Sequence, residues 1–211
     1  MSELGNLYVI SAPSGTGKTT LVKSLVETLP GITVSISHTT RPKRPAEAHG
    51  VNYYFVSEDN FQKMIHHEDF LEYATVFNYH YGTSRRWVEE TLARGEDVIL
   101  EIEWQGCQQI QKIFPSCISI YILPPSVTDL FNRLTKRNQD HKDIIKQRLA
   151  DVRETTHHIG EYDYVVINDD FSAALNDLTV IVQAGRLLQP RQIIKNAELL
   201  SQLETTELDE F

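Results

Sequence analysis

Cysteine is nearly absent: the 211 residues hold two, Cys107 and Cys117. They lack the C-x-x-C spacing of a redox or zinc motif, and two thiols in a chain this long do not make a disulfide framework. Burial is the plain reading of both, and a reducing compartment, the cytoplasm, is the expected location. No stretch approaches the roughly 18 consecutive apolar residues of a membrane span. Met1-Ser2-Glu3-Leu4 has neither the basic n-region nor the apolar h-region of a signal peptide. Positive charge is also scarce. Lys and Arg total 20 against 29 Asp and Glu, a formal charge of −9, so an extended nucleic-acid surface or an anionic membrane makes a poor partner. There are no internal repeats or low-complexity tracts. With 41% hydrophobic residues, the chain can bury one sizeable core with inserted excursions, but not a second independent domain.

What the chain does have is a glycine-rich loop, Ser11-Ala12-Pro13-Ser14-Gly15-Thr16-Gly17-Lys18-Thr19. Leu7-Tyr8-Val9-Ile10 reads as a short buried strand before it. Leu21, Val22, Leu25, Val26 and Leu29 recur at helical spacing after it, and Pro30-Gly31 stops that helix. Strand, glycine loop and helix together give the phosphate-binding pattern G-x-x-x-x-G-K-[ST], with Ala12 standing where the first glycine belongs. Glycine permits the backbone angles that let successive N–H groups converge on phosphate oxygens. Lys18 adds a mobile positive charge toward the β- and γ-phosphates, and Thr19 a hydroxyl for Mg²⁺.

Beyond the first helix, Ile32, Val34 and Ile36 alternate with polar residues, predicting a half-buried strand that delivers the chain to the loop His38-Thr39-Thr40-Arg41-Pro42-Lys43-Arg44-Pro45. Its prolines forbid a helix, so its charges form either an anion site or an ordinary solvated loop. Tyr53-Tyr54-Phe55-Val56 is strand-like, and Ser57 with Glu58 and Asp59 begins a helix. Phe70-Leu71-Glu72-Tyr73-Ala74-Thr75-Val76 reads as a strand with a carboxylate inside it. Two readings of Glu72 stand: it faces water, or it is held for a ligand's N–H donors. Residues 78–83 form a polar turn leading to a helix around Trp87–Leu92. Val98 to Glu103 is a central parallel strand whose Glu101 and Glu103, two residues apart, share one face. Ligands of open α/β sheets bind beyond the carboxyl ends of the strands, beside the phosphate loop. Ile118–Leu123 and Tyr164–Ile167 complete the strands. Between them, helical segments carrying Arg133, Lys136, Arg137, Arg148 and Arg153 look like either a lid or a surface hairpin.

Taken together, these residues resemble the guanylate kinase family up to about residue 188. The landmarks are the Pro-Ser-Gly-Thr-Gly-Lys loop, Ser37 to Pro45 with Glu47 and Gly50 behind it, Phe70-Leu71-Glu72, Tyr81-Gly82-Thr83, Gln105-Gly106, and Val166-Ile167-Asn168-Asp169-Asp170. The fold implied is α/β: a P-loop NTPase-type parallel sheet flanked by helices, with an inserted nucleotide-monophosphate-binding arm and a helical lid. Residues 1–188 would be one domain, with core 1–36, 87–126 and 154–188, arm 37–86 and lid 127–153. Residues 189–211 would be a helical tail. The activity implied is transfer of the ATP γ-phosphoryl group to GMP with Mg²⁺. Its partners are these two small molecules, with no nucleic acid or membrane, and its oligomeric state is open.

The resemblance also assigns residues. Ala12, Pro13, Ser14, Gly15, Thr16, Gly17, Lys18, Thr19, Arg137 and Asn168 would bind ATP, with Thr19 on the metal. Ser37, Glu72 and Thr83 would contact guanine, while Arg41, Arg44, Tyr53 and Tyr81 hold the GMP phosphate. Arg133, Arg137 and Arg148 would join Lys18 and Arg41 around the transferring phosphate, and Glu101 and Glu103 lie near GMP and the metal. The base chemistry agrees: guanine's N1–H and N2–H₂ suit a carboxylate, and its O6 suits a hydroxyl. Two alternatives keep parts of this pattern: a related kinase acting on a sugar phosphate, and an inactive guanylate-kinase-like module that binds protein.

Overall fold

The computed structural model describes residues 5–136, 152–153 and 155–205. The chain opens with β1 (Leu7–Ser11), α1 (Lys18–Thr28) and β2 (Ile32–Val34). The arm follows as β3 (His38–Thr39), β4 (Tyr54–Phe55), α2 (Glu58–His66), β5 (Phe70–Val76) and β6 (Tyr79–Ser84). The core resumes with α3 (Arg85–Ala93), β7 (Asp97–Glu101), α4 (Trp104–Ile113), β8 (Ile118–Leu123) and α5 (Val127–Lys136). After a short 3₁₀ turn at Ile159–Glu161 come β9 (Tyr164–Ile167), α6 (Phe171–Arg186), α7 (Gln189–Lys195) and α8 (Ala197–Thr205).

Strands β2-β7-β1-β8-β9 form one parallel sheet, so each crossover must be carried by a helix on a sheet face. All five residues of β1 are buried, and their alternation feeds two cores. Tyr8 and Ile10 pack with Leu21, Val22 and Leu25 of α1 and with Leu178 and Val182 of α6. Leu7 and Val9 face the other way, toward Val88 and Leu92 of α3 and Cys107 and Ile110 of α4. Each such fully buried aliphatic side chain contributes about 1.5–3 kcal/mol. The register sets Ile10 beside Glu101 on one side and Ile120 on the other, so the phosphate loop and the carboxyl end of β7 emerge level.

At the opposite end of the strands, Asp97 is fully buried and takes hydrogen bonds from Arg186 (2.7 Å), Arg191 (2.6 Å) and the Asn6 backbone (2.8 Å). Arg186 also reaches the Pro30 carbonyl at 2.8 Å, so this cluster fastens α6 and α7 to the sheet.

The arm sheet runs β4-β3-β6-β5. The structure departs from the sequence expectation in two places on the arm and in two on the core sheet. Residues 79–84 form strand β6 rather than part of a turn, because pairing with β3 and β5 overrides their polar composition. The turn is only Phe77-Asn78, both left-handed (φ 49° and 65°), the geometry that matches strand twist in a two-residue hairpin. Strand β4 shrinks to Tyr54–Phe55. Strand β2 ends at Val34; Ser35 N–H still bonds to Ile99 O (2.9 Å) before the chain departs for the arm. Finally, β7 ends at Glu101, and Glu103 is the residue preceding α4, so the two carboxylates do not share a strand face.

Candidate functional site

The loop between β1 and α1 is shaped by Gly15 and Gly17, both at φ 94°, a region a side chain would strain. No side chain caps the start of α1, leaving that helix end to a ligand. A Cβ at Gly15 would lie 2.9 Å from Leu134 of α5, and one at Gly17 would lie 2.8 Å from the Asn168 amide. The backbone angle calls for glycine at both positions, and Leu134 and Asn168 would have to shift to admit any side chain. Thr16, fully buried, ties the loop to itself through Pro13 O (2.9 Å). Ala12 is also buried, its methyl group packed in the core, which explains why glycine is dispensable there.

Behind the loop, the Thr16 carbonyl accepts from Asn168 (2.6 Å) and from Arg133 (3.2 Å), and Arg133 also donates to Asn168 O (3.1 Å). Arg133 in this conformation braces the loop from α5. A recess of about 410 Å³ on this side is lined by Gly15, Gly17, Thr20, Arg133, Asn168, Asp169 and Phe171. Arg137 and Arg148 lie outside the described residues.

On the other side opens a cleft of about 940 Å³, at the upper end of the usual range of about 300–1,000 Å³ for small-molecule sites. Residues 12–19 line its floor. Ser37, Arg41, Arg44, Tyr53, Glu72, Tyr81, Glu101 and Glu103 line the remainder. Thr19 donates its hydroxyl proton to Glu101 at 2.9 Å, so a hydroxyl lone pair and a carboxylate sit together where β7 ends. Both are hard oxygen donors of the kind Mg²⁺ takes. Among the described residues no group of three or more His, Cys, Asp or Glu could hold a metal. Thr19 and Glu101 thus fit an ion that brings ligands with it on phosphate oxygens.

Arg41 is held by Glu47 (2.7 Å) and stands over the Tyr53 and Phe55 rings at 5.4 and 5.8 Å. The second Glu47 oxygen accepts from the Arg44 backbone at 2.9 Å. Burial raises the Glu47 carboxyl, but Arg41 and the Arg44 backbone outweigh it and hold the group below its ordinary value. Tyr53 and Tyr81 meet edge-to-face, ring centres 5.8 Å apart. Two arginines and two phenols therefore converge on one wall, with Glu47 holding the Arg41 guanidinium and the Arg44 backbone. Glu47 had no functional role in the sequence reading; its signal was being an acid just behind a basic, proline-bound loop.

Of the two readings of Glu72 left open by sequence, exposure to water does not hold: the residue is 3% exposed and lines the cleft. Burial pushes its carboxyl up to about 7, against bonds from the Thr83 hydroxyl (2.5 Å) and backbone, which lower it. Thr83 itself is fully buried, is not among the cleft-lining residues, and orients the carboxylate from behind.

The family model described as guanylate kinase matches residues 4–185. Curated guanylate kinases are similar over nearly all of the chain. That of Saccharophagus degradans is 50% identical over 96% of this chain and 99% of its own length. That of Coxiella burnetii is 52% identical over 94% and 96%. Among solved structures, the guanylate kinase of Anaplasma phagocytophilum superposes with a TM-score of 0.75 at 29% identity, covering 90% of this chain and 91% of that one. Sequence and fold agree across the loop, the arm and the core alike: the chain belongs to the guanylate kinase family.

Proposed function

We propose that this chain transfers the γ-phosphoryl group of ATP to a phosphate oxygen of GMP, releasing ADP and forming GDP. The observation that carries this reading is one cleft shared by a phosphate loop, a buried carboxylate and a wall of arginines and tyrosines. In this reading the loop amides and Lys18 cradle the ATP phosphates, with Arg137 and Asn168 on the nucleotide. Arg41, Arg44, Tyr53 and Tyr81 hold the GMP phosphate in line. Glu72 accepts from guanine N1–H and N2–H₂ while Ser37 donates to O6, a pattern adenine cannot satisfy. Unpaired buried polar groups then reject the wrong base by about 10⁴. Thr83 acts on guanine through Glu72.

Mg²⁺ on the ATP, with Thr19 and Glu101 beside it, would neutralise charge on the phosphate oxygens. Transfer needs little covalent help, so positioning and charge neutralisation by Lys18, Arg41, Arg133, Arg137 and Arg148 suffice. The arm at 37–86 and the lid at 127–153 would close to exclude water, which competes with GMP for the phosphoryl group. Glu103, at the start of α4, faces the same cleft and is assigned to GMP. The buried thiols Cys107 and Cys117 fit a cytoplasmic enzyme.

The test is ADP formation with GMP, AMP, CMP and UMP as acceptors. Rapid turnover with GMP alone is expected. Turnover of AMP at a rate comparable to GMP would falsify the assignment.

A further inference from the structure

Glu72 lies on β5, the edge strand of the arm sheet, and its surroundings are not all on the arm. The β5–β6 ladder shifts register between Phe70 and Glu72, so the pairing that would fix the backbone is interrupted just before the carboxylate. The unpaired edge of β5 faces helix α4 of the core. There the Gln109 amide takes both backbone groups of the next residue: Tyr73 N–H donates to Gln109 Oε1 (3.2 Å), and Gln109 Nε2 donates to Tyr73 O (2.8 Å). A side-chain amide thus reproduces the two hydrogen bonds a neighbouring strand would make.

One turn earlier on the same helix face, Gly106 lets the carboxylate approach closely. A Cβ there would lie 2.5 Å from Glu72 Oε2. Gln109 also donates to Gln105 O at 3.3 Å, which ties its amide to the turn that carries Gly106.

We infer that Gln109 is a positioning residue for acceptor recognition, clamping β5 to α4 so that the Glu72 carboxylate is aimed at the guanine edge. This rests on the GMP kinase reading above. The clamp acts at the residue after Glu72 and touches no atom of either substrate. Its loss would therefore loosen the carboxylate without altering the phosphate loop. GMP should suffer more than inosine monophosphate, which lacks the 2-amino group that Glu72 reads.

The experiment compares the parent enzyme with Gln109→Ala and Gln109→Met, the latter keeping length and helix propensity without polar groups. Three quantities are measured: KM for GMP, KM for ATP, and the inhibition constant of inosine monophosphate against GMP. In both variants KM for GMP should rise about five- to twentyfold, from the loss of two hydrogen bonds, with KM for ATP within about twofold. The preference for GMP over inosine monophosphate should fall about threefold or more. An unchanged KM for GMP in the Met variant overturns the inference. So does a parallel weakening of GMP, inosine monophosphate and ATP, which a merely structural contact would give. If the parent enzyme does not phosphorylate GMP, the proposed function has failed, and that is seen before any substitution is made.

Discussion

The two sheets of this molecule do different work with different means. The core sheet is parallel, its central strands β7, β1 and β8 are buried, and it ends in backbone groups: the glycine loop and the uncapped start of α1. The arm sheet pairs two long strands, β5 and β6, with the two-residue β3 and β4, leaves Tyr54, Tyr73, Phe77 and Tyr79 exposed by a third or more, and turns side chains toward the cleft. Triphosphate is the same in every nucleotide, so fixed amides and one lysine are sufficient to hold it. A base is recognised by its particular donors and acceptors, so in the proposed function the arm presents a carboxylate and a hydroxyl to guanine and arginines to the acceptor phosphate.

The largest break in that division is expected from Lys18→Met. It should lower kcat by about 10³-fold or more while leaving GMP affinity within about twofold, measured by steady-state kinetics and calorimetry. The division also predicts where stability resides. Asp97→Ala removes the buried partner of Arg186 and Arg191 at the end of the sheet remote from the cleft. It should cost about 3–5 kcal/mol in denaturant unfolding, with activity retained at low temperature.

Glu72 gives the arm a pH signature. Its carboxyl moves from an ordinary 4.5 to about 7 on folding, because burial disfavours the charge. Between those values the folded state binds more protons than the unfolded one. Its contribution to stability is therefore greatest at low pH and falls as pH rises from about 4.5 to about 7, by about 3 kcal/mol in all. Unfolding at pH 5 and 7.5 should show this fall in the parent and its loss in Glu72→Gln. The smallest effect concerns the hairpin. Asn tolerates the left-handed conformation better than Phe, so Phe77→Asn should stabilise by about 0.5–1 kcal/mol, read as a slightly higher Tm.

The core was the more legible half. A strand, a glycine loop and a helix with period 3.6 are local signals, and Leu7–Ile10, Gly15–Thr19 and Leu21–Leu29 each carry theirs. The arm was less so, because its strands depend on one another. Tyr79–Ser84 has the composition of a turn and becomes a strand only when β3 and β5 flank it. Glu103 looked like a continuation of β7, yet the chain turns at Ile102 to start α4. Arg41, Arg44, Tyr53 and Tyr81 were legible as types, and they line one cleft. The contacts that support the site were not: Glu47 bonds Arg41, Thr83 bonds Glu72 and Gln109 bonds the Tyr73 backbone, and such pairings leave no spacing in the sequence.

The division between the two halves is tested most directly by titrating the parent and Glu72→Gln with GMP and, separately, with a non-hydrolysable ATP analogue in a calorimeter. Gln presents an N–H donor where guanine also donates, so GMP affinity should fall by at least about tenfold while ATP-analogue affinity stays within about twofold. An equal loss for both ligands would contradict it and remove Glu72 from the base site.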